Sequence, residues 1–305
     1  MSNPLTHGGL PTRHGVSPSC VGLPAGQWPT FTDFLVERFP AIGRNVWLDR
    51  MADGLVVDEF GGLVTPERAY RGHMRLYYYR ALAAEPAIPF EAAVLFQDDH
   101  LVVADKPHFL PVTPSGQYLQ ETLLVRLKNR LGLSSLTPIH RIDRETAGLV
   151  LFCVQPAERD AYQALFRRHE VVKQYEAIAP WRAELRFPLR HQSRIVEGEP
   201  FFRQVEVSGE PNSKTLVDML QTQGSLARYA LSLVTGKKHQ LRVHMNALGI
   251  AILNDRMYPL IDTTPDDYDC PLQLLAKSIS FVDPVTAQAR HFQSSRCLSI
   301  QPGAV

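Results

Sequence analysis

Residues 138–152 read Pro-Ile-His-Arg-Ile-Asp-Arg-Glu-Thr-Ala-Gly-Leu-Val-Leu-Phe, placing one acid, Asp143, between two arginines directly before an apolar run. That run, 149–154, is short and closed by Pro156, so it reads as a buried strand rather than a membrane span. A loop feeding a core strand can hold a carboxylate in one place. Gly148 is expected to relieve steric limits at the turn, and the Thr146 hydroxyl can bond the local backbone. Spacing alone leaves two readings open: Asp143 as a nucleophile, or Arg141, Asp143 and Arg144 as an exposed ion-pair cluster of the weak, common kind.

A chain of 305 residues, 45% hydrophobic and 21% charged, can bury a large domain and a smaller one. The N-terminus lacks a basic stretch followed by an apolar region, and no apolar run approaches the roughly 20 residues of a span, so a cytoplasmic protein is expected. Cys20, Cys153, Cys270 and Cys297 lie far apart with no Cys-x-x-Cys pair, which favours reduced thiols over disulfides or zinc ligands. The net charge of +1 does not announce a nucleic-acid partner, but its distribution does more. Between Asp218 and Asp255 no acid occurs, while Arg228, Lys237, Lys238, His239, Arg242 and His244 all fall there. Such a segment can neutralise phosphates; the plainer reading is a solvated basic face. A second cluster, Arg159, Arg167, Arg168, His169 and Lys173, is diluted by Glu158, Asp160 and Glu170.

Residues 1–28 carry Gly, Pro, Ser and Thr without periodicity and are expected to form an extended arm. Helix-like pieces at 31–39 and 44–52 precede a Gly54 turn and arginines at 68, 71, 75 and 80, which sets a small module at 29–85; Pro86 and Pro89 mark a hinge. Apolar runs on either side of Gln97-Asp98-Asp99-His100 predict a hairpin. The stripe Leu123, Leu124, Leu127, Leu131 predicts a helix ended by Gly132. Further helices are predicted at 157–168 and 240–248, and strands at 173–180 and 227–234. Short strands with irregularly spaced helices predict an α+β fold on a mostly antiparallel mixed sheet, over 91–305.

The segment His-Arg-Ile-Asp-Arg-Glu-Thr-Ala-Gly-Leu-Val-Leu-Phe (140–152) closely resembles the catalytic motif of the RluA-type RNA pseudouridine synthases, with Ile142 and Ala147 in place of the usual Leu and Ser. Three further blocks follow the family's order: 102–116 with Lys106-Pro107, 173–178 with Tyr175, and 235–255 with His239, Gln240 and Arg242. The resemblance implies a pseudouridine-synthase catalytic domain at 91–305 and, loosely, a small α/β RNA-binding-like module before it, for which packing or linking is the alternative role. It implies an isomerase that converts uridine to pseudouridine in structured RNA, transfer RNA or large-subunit ribosomal RNA, with no obligate protein partner.

That conversion breaks the bond from the anomeric carbon to ring nitrogen and remakes it to carbon 5. Nothing is oxidised, so no redox cofactor is needed and no metal is implied. An aspartate, ionised near neutrality, suits a nucleophilic role, and the resemblance assigns it to Asp143. It assigns Arg242 as the partner of Asp143, expected to grip it by a two-pronged contact. Tyr175 is assigned to pack on the target ring, with a core tyrosine as the alternative. Arg141, His140, Lys237, Lys238, His239, Gln240 and Leu275 are the expected substrate-contacting residues, although Arg141 also fits a structural salt bridge. Lys237-Lys238 departs from the family's Arg-Thr, which changes donor geometry.

Other classes fit less well. A phosphate-loop nucleotidase fails because Leu231 stands where its first glycine belongs. A metallohydrolase built on His239 and His244 fails because i and i+5 do not share a helix face. A glycoside hydrolase needs a second pocket acid, for which only Glu145 is near. The rival from another class is an RNA-binding or RNA-folding protein on the same scaffold, with dispensable catalysis.

Overall fold

The computed structural model describes residues 10–80 and 84–300, so the first nine residues of the expected arm lie outside it. The chain divides into two compact units: Met1–Ala87 with Thr113–Ser135, and Ile88–Val112 with Leu136–Val305. The excursion 113–135 therefore clusters with the N-terminal unit, although sequence pattern had assigned it to the catalytic region.

In the first unit, strand β1 (Ser19–Gly22) arises within the expected arm and pairs antiparallel with β3 (Arg75–Tyr78), which also pairs with β2 (Val56–Asp58). Helix α1 (Phe31–Arg38) starts at a reciprocal cap in which Thr30 and Asp33 satisfy each other's backbone N–H. With α2 (Arg44–Ala52) it buries Phe31, Phe34, Leu35, Trp47 and Met51 against Val56 and Leu76. Arg68 is bonded to Asp58 at 2.7 Å, whereas Arg71 and Arg75 are exposed. Helix α3 (Leu123–Leu131) ends at Gly132 in the left-handed region, as its stripe predicts.

The second unit is built on an eleven-stranded sheet. Its elements are β4 (Ala93–Gln97), β5 (Leu101–Lys106), β6 (Thr137–Pro138), β7 (Ala147–Cys153), α4 (Arg159–Arg167), β8 (Val172–Pro180), β9 (Leu189–Glu197), β10 (Gln204–Val207), β11 (Ser213–Gln223), β12 (Leu226–Leu233), α5 (Gln240–Ala247), β13 (Leu274–Val282) and β14 (Ala289–Gln293). The order is β10-β9-β11-β12-β8-β13-β7-β5-β4, with β14 beside β13 and β6 beside β7. Among the described residues every pairing is antiparallel except β13 with β7. The fold is α+β on a mixed sheet.

All seven residues of β7 are buried, so both faces of this strand are covered as well as both edges. Gly148 lies inside this strand and not at a turn. A Cβ there would stand 2.3 Å from the Ala276 carbonyl oxygen, and its φ of +108° also excludes most side chains. Helix α5 packs Leu241 and Met245 against Tyr175, Ala177, Tyr229 and Leu231 of the central strands. Among the described residues no helix is long and apolar enough to cross a membrane.

Candidate active site

Asp143 sits on the loop between β6 and β7, and three bonds fix the backbone of that loop. Thr146 N donates to the Asp143 carbonyl at 3.2 Å. The Lys106 ammonium, buried at the end of β5, donates to the Arg144 and Pro107 carbonyls at 2.9 Å each. His108 Nδ1 donates to the Glu145 carbonyl at 2.6 Å. Burial pulls Lys106 down to about 7 against the opposing pull of Glu145 and Asp143, so it nears neutrality while its two carbonyl acceptors keep it in place.

Arg242 reaches this loop from α5 and is 1% exposed. Its Nε and Nη2 donate to the two oxygens of Asp255 at 2.8 Å each. Nη1 donates to Asp143 Oδ2 at 3.2 Å and lies 3.7 Å from Glu145 Oε2. The expected two-pronged grip is thus made on Asp255, and Asp143 receives a single bond. The reason is geometric: a guanidinium's fork is used once, and Asp255, wholly buried, takes it. Burial alone would weaken the charge on Arg242, but the bonds from Asp255 and the fields of Asp255, Asp143 and Glu145 more than offset it and raise its pKa. Asp143 keeps an open side, with its side chain 27% exposed.

Around this pair stand two rings and an imidazole. The Arg242 guanidinium lies 5.6 Å from the centre of the Tyr258 ring. The Tyr258 hydroxyl accepts the Gln204 N–H at 2.9 Å and meets His239 Nδ1 at 3.0 Å. His239 precedes α5 with a left-handed φ of +56°, and its Nε2 is 3.9 Å from Asp143 Oδ2. Such backbone strain in a non-glycine residue is typical of functional loops. Tyr175, on β8, is buried; burial first and then the charge of Asp143 push its phenol well above the ordinary range, so it stays protonated.

The expected substrate contacts divide into two groups. Arg141, Lys237 and Lys238 are exposed, and among the described residues none of their side chains makes a hydrogen bond or ion pair, so for Arg141 no salt bridge forms there. His239 is buried and stands at the edge of the carboxylate cluster, 3.9 Å from Asp143. His140, Gln240 and Leu275 do not. The His140 ring stacks on Phe166 at 4.8 Å and accepts the Leu151 N–H at 3.2 Å, and burial pulls its pKa to about 3. Gln240 accepts from Thr235 and the Lys237 N–H and donates to the Lys214 carbonyl and Thr215, so both ends of its amide are used inside the protein. Leu275 packs with Ala147, Ile178 and Leu298, while its neighbours Leu274 and Ala276 share the cluster of Tyr175. The two-residue period of a strand puts Leu275 on the opposite face.

Sequence reasoning missed Asp255, Tyr258 and His108 as supports of the site, whereas Lys106 was expected to shape the fold and holds the Arg144 carbonyl. Asp255 closes the 235–255 block, and an acid ending an otherwise basic segment was the available signal. The acids Asp143, Glu145 and Asp255 all lie against one arginine, which makes this an ion-pair network and not a cation-binding cluster. A group with metal-ligand character, His191, Glu206 and His244, is found elsewhere in the unit.

Residues 100–247 match the family of RNA pseudouridylate synthases, a span that includes Asp143, Tyr175 and Arg242. An RNA pseudouridine synthase of Synechocystis sp., described as uncharacterized, is 30% identical over 230 residues, covering 74% of this chain and 78% of its own. The dual-specificity RNA pseudouridine synthase RluA of Pasteurella multocida is also 30% identical, over 66% of this chain and 91% of its own. Among solved structures, human RNA pseudouridylate synthase domain containing 4 superposes with a TM-score of 0.52 at 26% identity, over 68% of this chain and 88% of that one. The α+β mixed sheet and these likenesses define the class: an RNA pseudouridine synthase, an isomerase. The chain belongs to the RluA-type family of these enzymes.

Proposed function

We propose that the protein isomerises specific uridines in structured RNA, transfer RNA or large-subunit ribosomal RNA, with Asp143 as the nucleophile. The observation that carries this reading is the bond from buried Arg242 to Asp143, the more open of the two loop carboxylates, in a chain whose neighbouring motif cations Arg141, Lys237 and Lys238 are exposed. Arg242, itself fixed by Asp255, holds the Asp143 carboxylate in one orientation. A uridine stacked in RNA cannot present its anomeric carbon to that carboxylate, so the nucleotide is flipped out, at least cost where it is unpaired. The cationic rim holds the phosphates on either side while Tyr175 packs on the ring. Held protonated, the phenol does not act as a resting base; any part it takes in moving the carbon-5 proton begins from the neutral form. The glycosidic bond to nitrogen breaks and the bond to carbon 5 forms, any bond made to Asp143 on the way is released, and the proton lost from carbon 5 is matched by one gained at the freed ring nitrogen, so atoms balance without a cofactor.

Substrate choice depends on RNA shape and loop contacts that this site does not encode. Pseudouridine mapping of total RNA from a strain lacking the gene, complemented with wild type or with Asp143→Asn, names the substrate. A modification that returns with wild type and not with the variant is expected. No returning site in any RNA, or equal return with both, would overturn the reading.

A further inference from the structure

His191, Glu206 and His244 come from three elements, β9, β10 and α5, and their ligand atoms lie within 4.8 Å of one another. His191 Nε2 stands 2.8 Å from Glu206 Oε1, and His244 Nε2 stands 3.8 Å from the same oxygen. The two rings meet edge-on, with centres 4.7 Å apart and planes at 69°, so the nitrogens converge on the carboxylate instead of the rings stacking. A tetrahedral ion with bonds of about 2.0–2.2 Å spaces its ligand atoms about 3.3–3.6 Å apart. The two measured separations bracket that spacing, so small rotations of the half-buried His191 and Glu206 side chains suffice.

The outer arrangement fits as well. His244 Nδ1 meets Thr215 Oγ1 at 2.8 Å, and Thr215 Oγ1 also accepts from Gln240 at 3.0 Å. A bond of this kind on the far nitrogen is what fixes a ligating imidazole and leaves Nε2 facing the ion. The Ser193 and Ser213 hydroxyls hydrogen-bond His244 Nε2 at 3.1 and 3.0 Å; an ion on that nitrogen would displace them and leave them beside it to bond a water in a fourth position. His244 is wholly buried, but the His191 and Glu206 side chains are 20% and 25% exposed, which gives an ion a way in.

We infer that His191, Glu206 and His244 bind one divalent transition-metal ion of the zinc class, which suits two imidazoles and a carboxylate. The ion is structural. It ties the β9 and β10 strands to α5, the helix that carries Arg242, and takes no part in the chemistry at Asp143. In its absence His191 bonds Glu206 and His244 Nε2 bonds the Ser193 and Ser213 hydroxyls, so the metal-free chain keeps its fold. This site and the pseudouridine synthase reading stand or fall separately, since none of the three residues touches Asp143.

The test uses the full chain, stripped with a chelator and titrated with Co²⁺ for its visible spectrum and Zn²⁺ by calorimetry. One equivalent is expected, with a tetrahedral Co²⁺ band, a rise in Tm on adding Zn²⁺, and at least tenfold weaker binding in His191→Ala and in Glu206→Gln. No saturable stoichiometric binding would overturn the proposal, as would stoichiometric binding left unchanged by both variants. X-ray absorption of the zinc-loaded wild type decides the case without any variant: a shell of nitrogen and oxygen with imidazole scattering supports the site, and sulfur ligation overturns it.

Discussion

At the residue scale the site turns on how one guanidinium is shared. The family resemblance pointed to Asp143 and Arg242 as a pair, and the two side chains do meet, but it could not say how Arg242 divides its donors. Asp255 takes two of them and Asp143 one. Asp255→Asn therefore weakens the clamp while leaving Asp143 intact. We expect single-turnover rate to fall about 100-fold, the cost of a displaced catalytic group, with RNA affinity nearly unchanged; an unaltered rate would show that Asp255 does not position Arg242. Arg242→Ala is expected to cost about 3 kcal/mol of stability as well as activity, because it leaves the enclosed Asp255 carboxylate with only the Met257 and Tyr258 N–H groups and no opposite charge. Urea unfolding separates the two effects. His140 and Gln240 were misread for a related reason: membership of a motif does not reveal whether a polar side chain is already spent on the fold.

At the element scale the strongly periodic or fully apolar segments were readable, namely the β4–β5 hairpin, β7, β8, β12 and all five α-helices. Strands β9, β10 and β11 were not. β9 runs Leu-Arg-His-Gln-Ser-Arg-Ile-Val-Glu with one buried residue, and β11 beyond Val217 is exposed throughout, so neither shows a clean apolar alternation. Gly148 belongs to this scale too, since its role appears only when β13 is laid beside β7. Gly148→Ala puts a methyl into the Ala276 backbone at a left-handed φ, and about 3 kcal/mol or more of stability should be lost, checked by thermal and urea unfolding. The exposed Lys237-Lys238 turn before α5 predicts a different effect. Changing both lysines to Ala should lower the log-log salt slope of RNA binding by about 1.4–1.8, with the fold intact; an unchanged slope would put these lysines away from the RNA.

At the scale of the whole molecule, buried neutral histidines set the response to acid. Burial first lowers His108 to about 4 and His140 to about 3, from an ordinary value of 6.5. Between pH 6.5 and about 4 the unfolded chain holds protons on these rings that the fold does not, so stability falls as pH falls through that window. These two groups together should remove about 4 kcal/mol between pH 7 and pH 5, with buried His244 adding to the loss, and His140→Asn, whose amide can still accept the Leu151 N–H, should recover about 2 kcal/mol of it. A pH-independent urea midpoint would contradict the assignment. The central claim, that Asp143 is the nucleophile and that the remaining residues hold and feed it, is tested most directly by single-turnover kinetics of Asp143→Asn on a native RNA substrate. RNA affinity within about threefold of wild type, an unchanged melting temperature and no pseudouridine are predicted. Measurable product from a preparation free of deamidation would contradict it.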